Sequence, residues 1–286
     1  MSTHVEEFWT TDPSDVLRVG DGFVLASADT DSSPGFNGGK SLGRTALADG
    51  ADILSELQEK FFANGTRGDN RKVLLVLQAM DTAGKGGIVR HVVGAVDPQG
   101  IDYVAFKKPT REELEHDFLW RIKKHVPEAG RIGVFDRSQY EDVLIGRVRS
   151  LAPAEEIERR YGAINDFERQ LVDDGTTVIK VMLHLGKDEQ KRRLRQRLDR
   201  ADKHWKYNPS DVDERLLWDD YQVAYQIAIE RTTTPDAPWY VIPADKKWYA
   251  RLAVQHLLID AFNAMDLDWP AADFDVEAEK ARLAAS

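Results

Sequence analysis

The hydrophobic pattern changes character twice along the 286-residue chain. Residues 1–39 are rich in Asp, Ser, Thr and Gly without a sustained period, which predicts an extended N-terminal arm. Over 40–63, Leu47, Leu54 and Phe61 recur at heptad spacing with Ile53 and Leu57 beside them, which predicts an amphipathic helix ended by Asn64 and Gly65. Beyond it, short β-rich apolar runs alternate with longer helical patterns, the signature of βαβ units and a parallel sheet. Five strands are predicted: Val73 to Gln78, Ile101 to Phe106, Arg131 to Phe135, Thr176 to Leu183 and Trp239 to Pro243. Between them, Thr110 and Glu113 make a capping box for a helix carrying Phe118, Leu119 and Ile122. Pro153 precedes a second helix that stops at Gly175. A third begins near Ser210, capped with Asp213, and continues through Leu216, Leu217, Tyr221, Ala224 and Ile227. Residues 265–286 read as a loosely attached tail, which leaves 40–264 as one α/β domain.

Composition narrows the class. With 42% apolar residues the chain can bury a full core. No apolar run approaches the roughly 20 residues that span a bilayer, and the acidic start MSTHVEEFWTTDPSD is no signal peptide, so a cytoplasmic, membrane-free protein is expected. The absence of cysteine excludes disulfides, thiolate metal sites and cysteine nucleophiles. A net charge of −10 argues against generic nucleic-acid binding, so a polyanionic ligand would need a local basic site. Residues 187–206 supply one, with nine of the 39 Lys and Arg residues.

The candidate chemistry starts at the first strand, whose apolar run VLLVL leads into QAMDTAGKGG (Gln78 to Gly87) and then IVRHVVGAV. A strand, a glycine-rich turn, a lysine and a helix start together suit a phosphate cradle, here Ala83, Gly84, Lys85, Gly86 and Gly87. Two positions depart from the standard P-loop: Ala79 replaces its first glycine, and Gly86 stands where a Ser/Thr hydroxyl would meet magnesium. A tight βα connection is the plain alternative. Ligands of open α/β sheets sit beyond the carboxyl ends of the strands, where this chain places Asp81, Lys107, Lys108, Asp136, Arg137 and His184. The strand end GVFD makes Asp136 a metal-site candidate, with a helix N-cap as the alternative. Asp81 would be the second carboxylate on Mg2+, since an aspartate inside an anion-binding loop is better explained with a cation present.

Within the basic segment, Arg193, Arg197 and Arg200 share one helical face with few oppositely charged partners at matching spacings, which suggests a phosphate clamp over a solvated face. Lys203, Trp205 and Lys206 follow near Asn208-Pro209 and would suit a mobile lid, spanning about 187–215. The histidines lack ligand spacing, so His91, His116, His125 and His184 are expected to be packing or surface residues.

These residues together resemble the polyphosphate kinase 2 family from about Phe36 to Leu257. The blocks are AMDTAGKGG, DPQG (Asp97 to Gly100), KKPT (Lys107 to Thr110), HDFLWR (His116 to Arg121), FDRSQYEDVL (Phe135 to Leu144), DEQKRRLRQR (Asp188 to Arg197), WDDY (Trp218 to Tyr221) and APWYVIPADKK (Ala237 to Lys247). The loop of that family also lacks the Ser/Thr. The resemblance implies a P-loop kinase-like core, with a five-stranded parallel sheet flanked by helices, and a helical lid. It implies a homo-oligomer that moves phosphoryl groups, with Mg2+, between inorganic polyphosphate and AMP, ADP or ATP. It makes Asp81, Lys85, Asp136, Arg137, Arg193 and Arg197 central. Glu141 stands where many family members have Asn, which looks like the branch that accepts both AMP and ADP. The competing readings are an ATP-dependent nucleoside monophosphate kinase and a non-catalytic P-loop phosphate-binding regulator.

Overall fold

The structure, a computed structural model, describes residues 8–286. Its centre is one five-stranded sheet: β1 (Lys72–Gln78), β2 (Ile101–Ala105), β3 (Ile132–Asp136), β4 (Thr176–His184) and β5 (Trp239–Pro243). The strands are parallel and lie in the order β2-β3-β1-β4-β5. All five expected strands are present, with ends displaced by one residue at most.

The sheet is apolar on both faces, which is why the central strands read as unbroken hydrophobic runs. Along β1, Val73, Leu75 and Leu77 enter the core on one face, while Leu74 and Val76 enter the core on the other. The helices α1 (Pro13–Val16), α2 (Lys40–Gly65) and α3 (Lys85–His91) start the chain-order numbering. They are followed by α4 (Arg111–Leu114), α5 (Trp120–Lys123), α6 (Ile145–Val148) and α7 (Ala154–Asp173). The remainder are α8 (Lys187–Leu198), α9 (Ser210–Leu216), α10 (Trp218–Thr232), α11 (Lys247–Asn263) and α12 (Val276–Ala284). The first face is covered by α2, α3 and α11, the second by α7 and α10.

The seam between α2 and α11 depends on small residues. A Cβ on Gly43 would lie 2.2 Å from Trp248 Cε3, and one on Gly50 would lie 2.4 Å from Gln255 Oε1. The absent side chains let the two helices approach closely.

Two expected helices are divided. The capping box of Thr110 and Glu113 forms, but its helix ends at Leu114, and the chain restarts at α5 after the Asp117 carboxylate accepts from the Leu119 N–H at 3.0 Å. That local bond competes with helix continuation. The helix near Ser210 likewise splits at Leu217 into α9 and α10, and its first turn follows Pro209 with no side-chain cap.

The first seven residues of the expected arm lie outside the described residues. From Phe8 onward the arm packs instead of standing off. Leu17 and Phe36 enter one core and Val19 and Leu25 the other, and Arg18 forms an antiparallel bridge with Tyr240 on β5. At the other terminus, Asn64 donates to the Asp268 carbonyl at 2.8 Å and Arg71 to the Met265 carbonyl at 2.6 Å, while α12 is exposed throughout. Among the described residues, no helix is long and apolar enough to cross a membrane.

Candidate active site

The carboxyl ends of β1, β3 and β4 open on a cleft of about 680 Å³. Its floor is the turn between β1 and α3. Gly84 has φ 129° and Thr82 φ 69°, conformations that a side chain resists and that Gly84 avoids paying for by having none. The turn carries Asp81, Ala83, Gly84 and Lys85 into the cleft lining, with Gly86 and Gly87 at the start of α3.

Lys85 Nζ lies 3.3 Å from the Ala79 carbonyl, to which it donates, and 3.8 Å from Asp136 Oδ1. The second Asp136 oxygen accepts from the Tyr103 hydroxyl at 3.4 Å. Arg137 follows with φ 65°, donates to Asp81 Oδ1 at 3.2 Å, and lies 4.0 Å from Glu141 Oε2. Each aspartate of the pair is thus matched by one cation. Glu141 raises the affinity of Arg137 for its proton, against the effect of burial. Burial pushes the Glu141 carboxyl above its ordinary range, and Arg137 and Lys85 oppose that rise.

Above the floor stands the basic segment. Arg193, Arg197, Lys203 and Lys206 line the cleft, as does Lys107 from the β2 side. Lys108 is exposed and outside the lining, and Glu141 sits behind Arg137 and is not part of it. The expectation that few oppositely charged partners at helical spacings would leave the arginine stripe self-repelling is overturned. Arg193 is only 3% exposed and donates to the carbonyls of Thr82, Ala83, Ala244 and Asp245 at 2.6–3.0 Å, and to Glu189 at 2.6 Å. Arg197 meets Asp211 at 3.2 Å, and Arg200 meets Asp202 at 2.8 Å. Most of these acceptors are backbone carbonyls or residues beyond the helix, invisible to helical spacing.

Sequence reasoning missed a second cationic group. Arg90 and His91 from α3, with Lys247 and Arg251 from α11, also line the cleft. His91 was expected to be packing or surface, and is placed in the site. Burial first, then neighbouring cations, lower the proton affinities of Lys247, Arg251 and His91. Like charges held together in a concave site are relieved by an anion, and the cleft can therefore take an extended one. His184 is buried, and His116 stacks on Trp120 at 4.0 Å between centroids.

A sequence model of the family described as Polyphosphate kinase 2 (PPK2) matches residues 40–270. The AMP/ADP-polyphosphate phosphotransferase of Meiothermus ruber is 45% identical over 248 residues, covering 87% of this chain and 91% of that relative. The ADP-polyphosphate phosphotransferase of Rhodopseudomonas palustris is 42% identical over 229 residues, covering 76% and 78%. The crystal structure of polyphosphate kinase 2 from Arthrobacter aurescens TC1 aligns with a TM-score of 0.96 at 60% identity, over 97% of this chain and 98% of that one.

Proposed function

The chain belongs to the polyphosphate kinase 2 family, and from that premise we propose that it transfers the terminal phosphoryl group of inorganic polyphosphate to AMP or ADP, reversibly. In the forward direction an oxygen of the nucleotide's terminal phosphate bonds to the end phosphorus of the chain. The anhydride bond behind that phosphorus breaks, and polyphosphate leaves one unit shorter. The observation that carries this reading is the cationic lining of the cleft, in which Arg90, Lys247 and Arg251 join Lys85, Lys107, Arg137 and the basic segment, a charge suited to an extended polyanion.

In this reading Lys85 and the turn meet the transferred phosphoryl group, and Arg137 steadies charge where donor and acceptor face each other. Such transfer is achieved largely by positioning and electrostatics, with little covalent chemistry left for the protein. Asp81 and Asp136 fit a hard divalent cation, magnesium here, because they offer carboxylate oxygens beside a phosphate-binding turn. The cation would neutralise phosphate charge. Arg193 holds the turn by donating to its Thr82 and Ala83 carbonyls. Glu141 acts on the acceptor through Arg137, which is how it would influence the choice between AMP and ADP. A cytoplasmic location and a homo-oligomeric assembly belong to the same proposal.

The test is incubation of the purified protein with AMP or ADP, magnesium and long-chain polyphosphate in the absence of ATP, following nucleotide products over time. Formation of ADP from AMP, or of ATP from ADP, over many turnovers is the expected result. No product with polyphosphate, but product when ATP is the donor to AMP, would replace this reading with an ordinary nucleotide kinase.

A further inference from the structure

Beneath the cleft, in the middle of β4, a lysine is wholly buried. Lys180 has a side-chain exposure of 0%, and its partner Glu168 on α7 has 2%. Lys180 Nζ donates to Glu168 Oε2 at 2.7 Å, to the Thr232 carbonyl at 2.6 Å and to the Tyr140 hydroxyl at 3.2 Å. The other carboxylate oxygen, Glu168 Oε1, accepts from the Tyr140 hydroxyl at 2.8 Å and from Gln139 Nε2 at 3.0 Å. The Tyr140 and Trp239 rings complete the enclosure, each centroid within 5.7 Å of the ammonium.

A buried ion pair is weak evidence of stability, because desolvation offsets most of its attraction. What this one does is geometric. Gln139 and Tyr140 belong to the 3-10 turn Gln139–Asp142 that leaves β3, two and three residues after Arg137. The polar path continues from that turn to the cleft. The Tyr140 N–H donates to Ser138 Oγ at 3.2 Å, and Ser138 Oγ lies 3.1 Å from the Gln78 amide. With that amide turned so that its oxygen faces the Ser138 N–H, its nitrogen donates to Glu141 Oε1 at 3.0 Å. Glu141 then faces Arg137, which stands in the left-handed region at φ 65°. A non-glycine residue persists there only where its surroundings over-determine it. Gln78, Ser138, Gln139, Glu168 and Lys180 are all at most 2% exposed, so water does not compete for these bonds.

We propose that Lys180 and Glu168 are positioning residues for phosphoryl transfer: the buried pair clamps Gln139 and Tyr140, and through them fixes Arg137 and Glu141 at the cleft. The idea rests on the phosphotransferase reading above, so its test has one arm that needs no activity. Two double variants separate clamping from bulk stability. Glu168→Leu with Lys180→Met replaces the pair by apolar groups and removes both acceptor bonds to the turn. Glu168→Gln with Lys180→Met also removes the charges, but keeps an amide oxygen for Tyr140 and Gln139.

The expected result for the first is a soluble fold with kcat lowered about tenfold or more and both KM values within about threefold, as for a small misplacement of a reacting group. The second should recover most of the lost kcat. Hydrogen exchange at the Tyr140 and Glu141 amides should quicken in the first variant and remain near the parent rate in the second, whether or not the parent proves to use polyphosphate. Parent-like exchange at those amides in the first variant overturns the proposal, as does parent-like kcat, or an equal loss of kcat in both. If the first variant does not fold, Tyr140→Phe decides by the same readings: it deletes one hydroxyl of the clamp, should lower kcat at unchanged KM, and overturns the proposal if kcat is unchanged.

Discussion

Arg193 and Arg197 sit four residues apart on α8, yet their surroundings differ. The first spends its guanidinium on four carbonyls and Glu189, whereas Arg197, a quarter exposed, meets Asp211 and the Lys206 carbonyl. Arg193→Ala should therefore destabilise the protein by roughly 2–4 kcal/mol and lower turnover on every substrate, because buried acceptors and a carboxylate lose their donor. Arg197→Ala should leave the melting temperature nearly unchanged and raise the apparent KM for polyphosphate about fivefold, through loss of a charge-assisted contact. Thermal unfolding with substrate titrations on both variants checks the contrast; equal melting losses would refute it. Legibility at this scale divides the same way. Asp81, Lys85 and Asp136 were readable because a turn and a strand end announce themselves in adjacent residues. Arg90, Lys247 and Arg251 were not, since lone cations on helices carry no local pattern until folding brings α3 beside α11.

At the scale of elements, β1, β3, β4 and β5 were readable from their apolar runs, because burial on both faces leaves few polar positions to confuse the pattern, whereas the edge strand β2 is half-buried or exposed along its length. The helices were less so. Asp117 and Leu217 interrupt predicted helices through local geometry that a period of 3.6 does not register. The α2 stripe was recognised from its large residues, but Gly43 and Gly50, which carry no hydrophobic side chain, lie directly against Trp248 and Gln255 of α11. That contact has a measurable weight. Gly43→Ala would set a methyl within 2.2 Å of the Trp248 ring and should cost about 1–3 kcal/mol by overpacking, despite the better helix propensity of alanine. Denaturant unfolding of the variant is the check, and a gain in stability would show that the two helices can part at little cost.

For the whole molecule, a chain of net charge −10 gathers eleven of its 39 Lys and Arg residues on one concave surface. Two fields then act on an approaching polyanion, long-range repulsion and short-range attraction. Salt screens both beyond a Debye length of roughly 8–10 Å near physiological strength, but the bound state depends on the attraction. The KM for polyphosphate should accordingly rise severalfold between about 50 and 300 mM KCl, and more for long chains than for short ones. Initial rates across that range decide it, and a KM independent of salt would mean that few of the cleft cations touch the donor. Residues 1–39 read as an arm, yet in the described part of it Leu17 and Phe36 enter one core and Val19 and Leu25 the other.

The bridge between Arg18 and Tyr240 has a consequence for where the folding unit begins. The family match starts at residue 40, yet the Val19 N–H donates to the Trp239 carbonyl at 2.8 Å, and the Leu17 carbonyl accepts from Val241 at 3.0 Å. Those bonds occupy the outer rim of β5. Unpaired backbone along a strand is a template for a strand from another molecule, and proteins that leave it open tend to self-associate. A version trimmed to the recognisable domain would keep every residue of the cleft and lose its stopper, gaining a sticky margin in place of a sealed one.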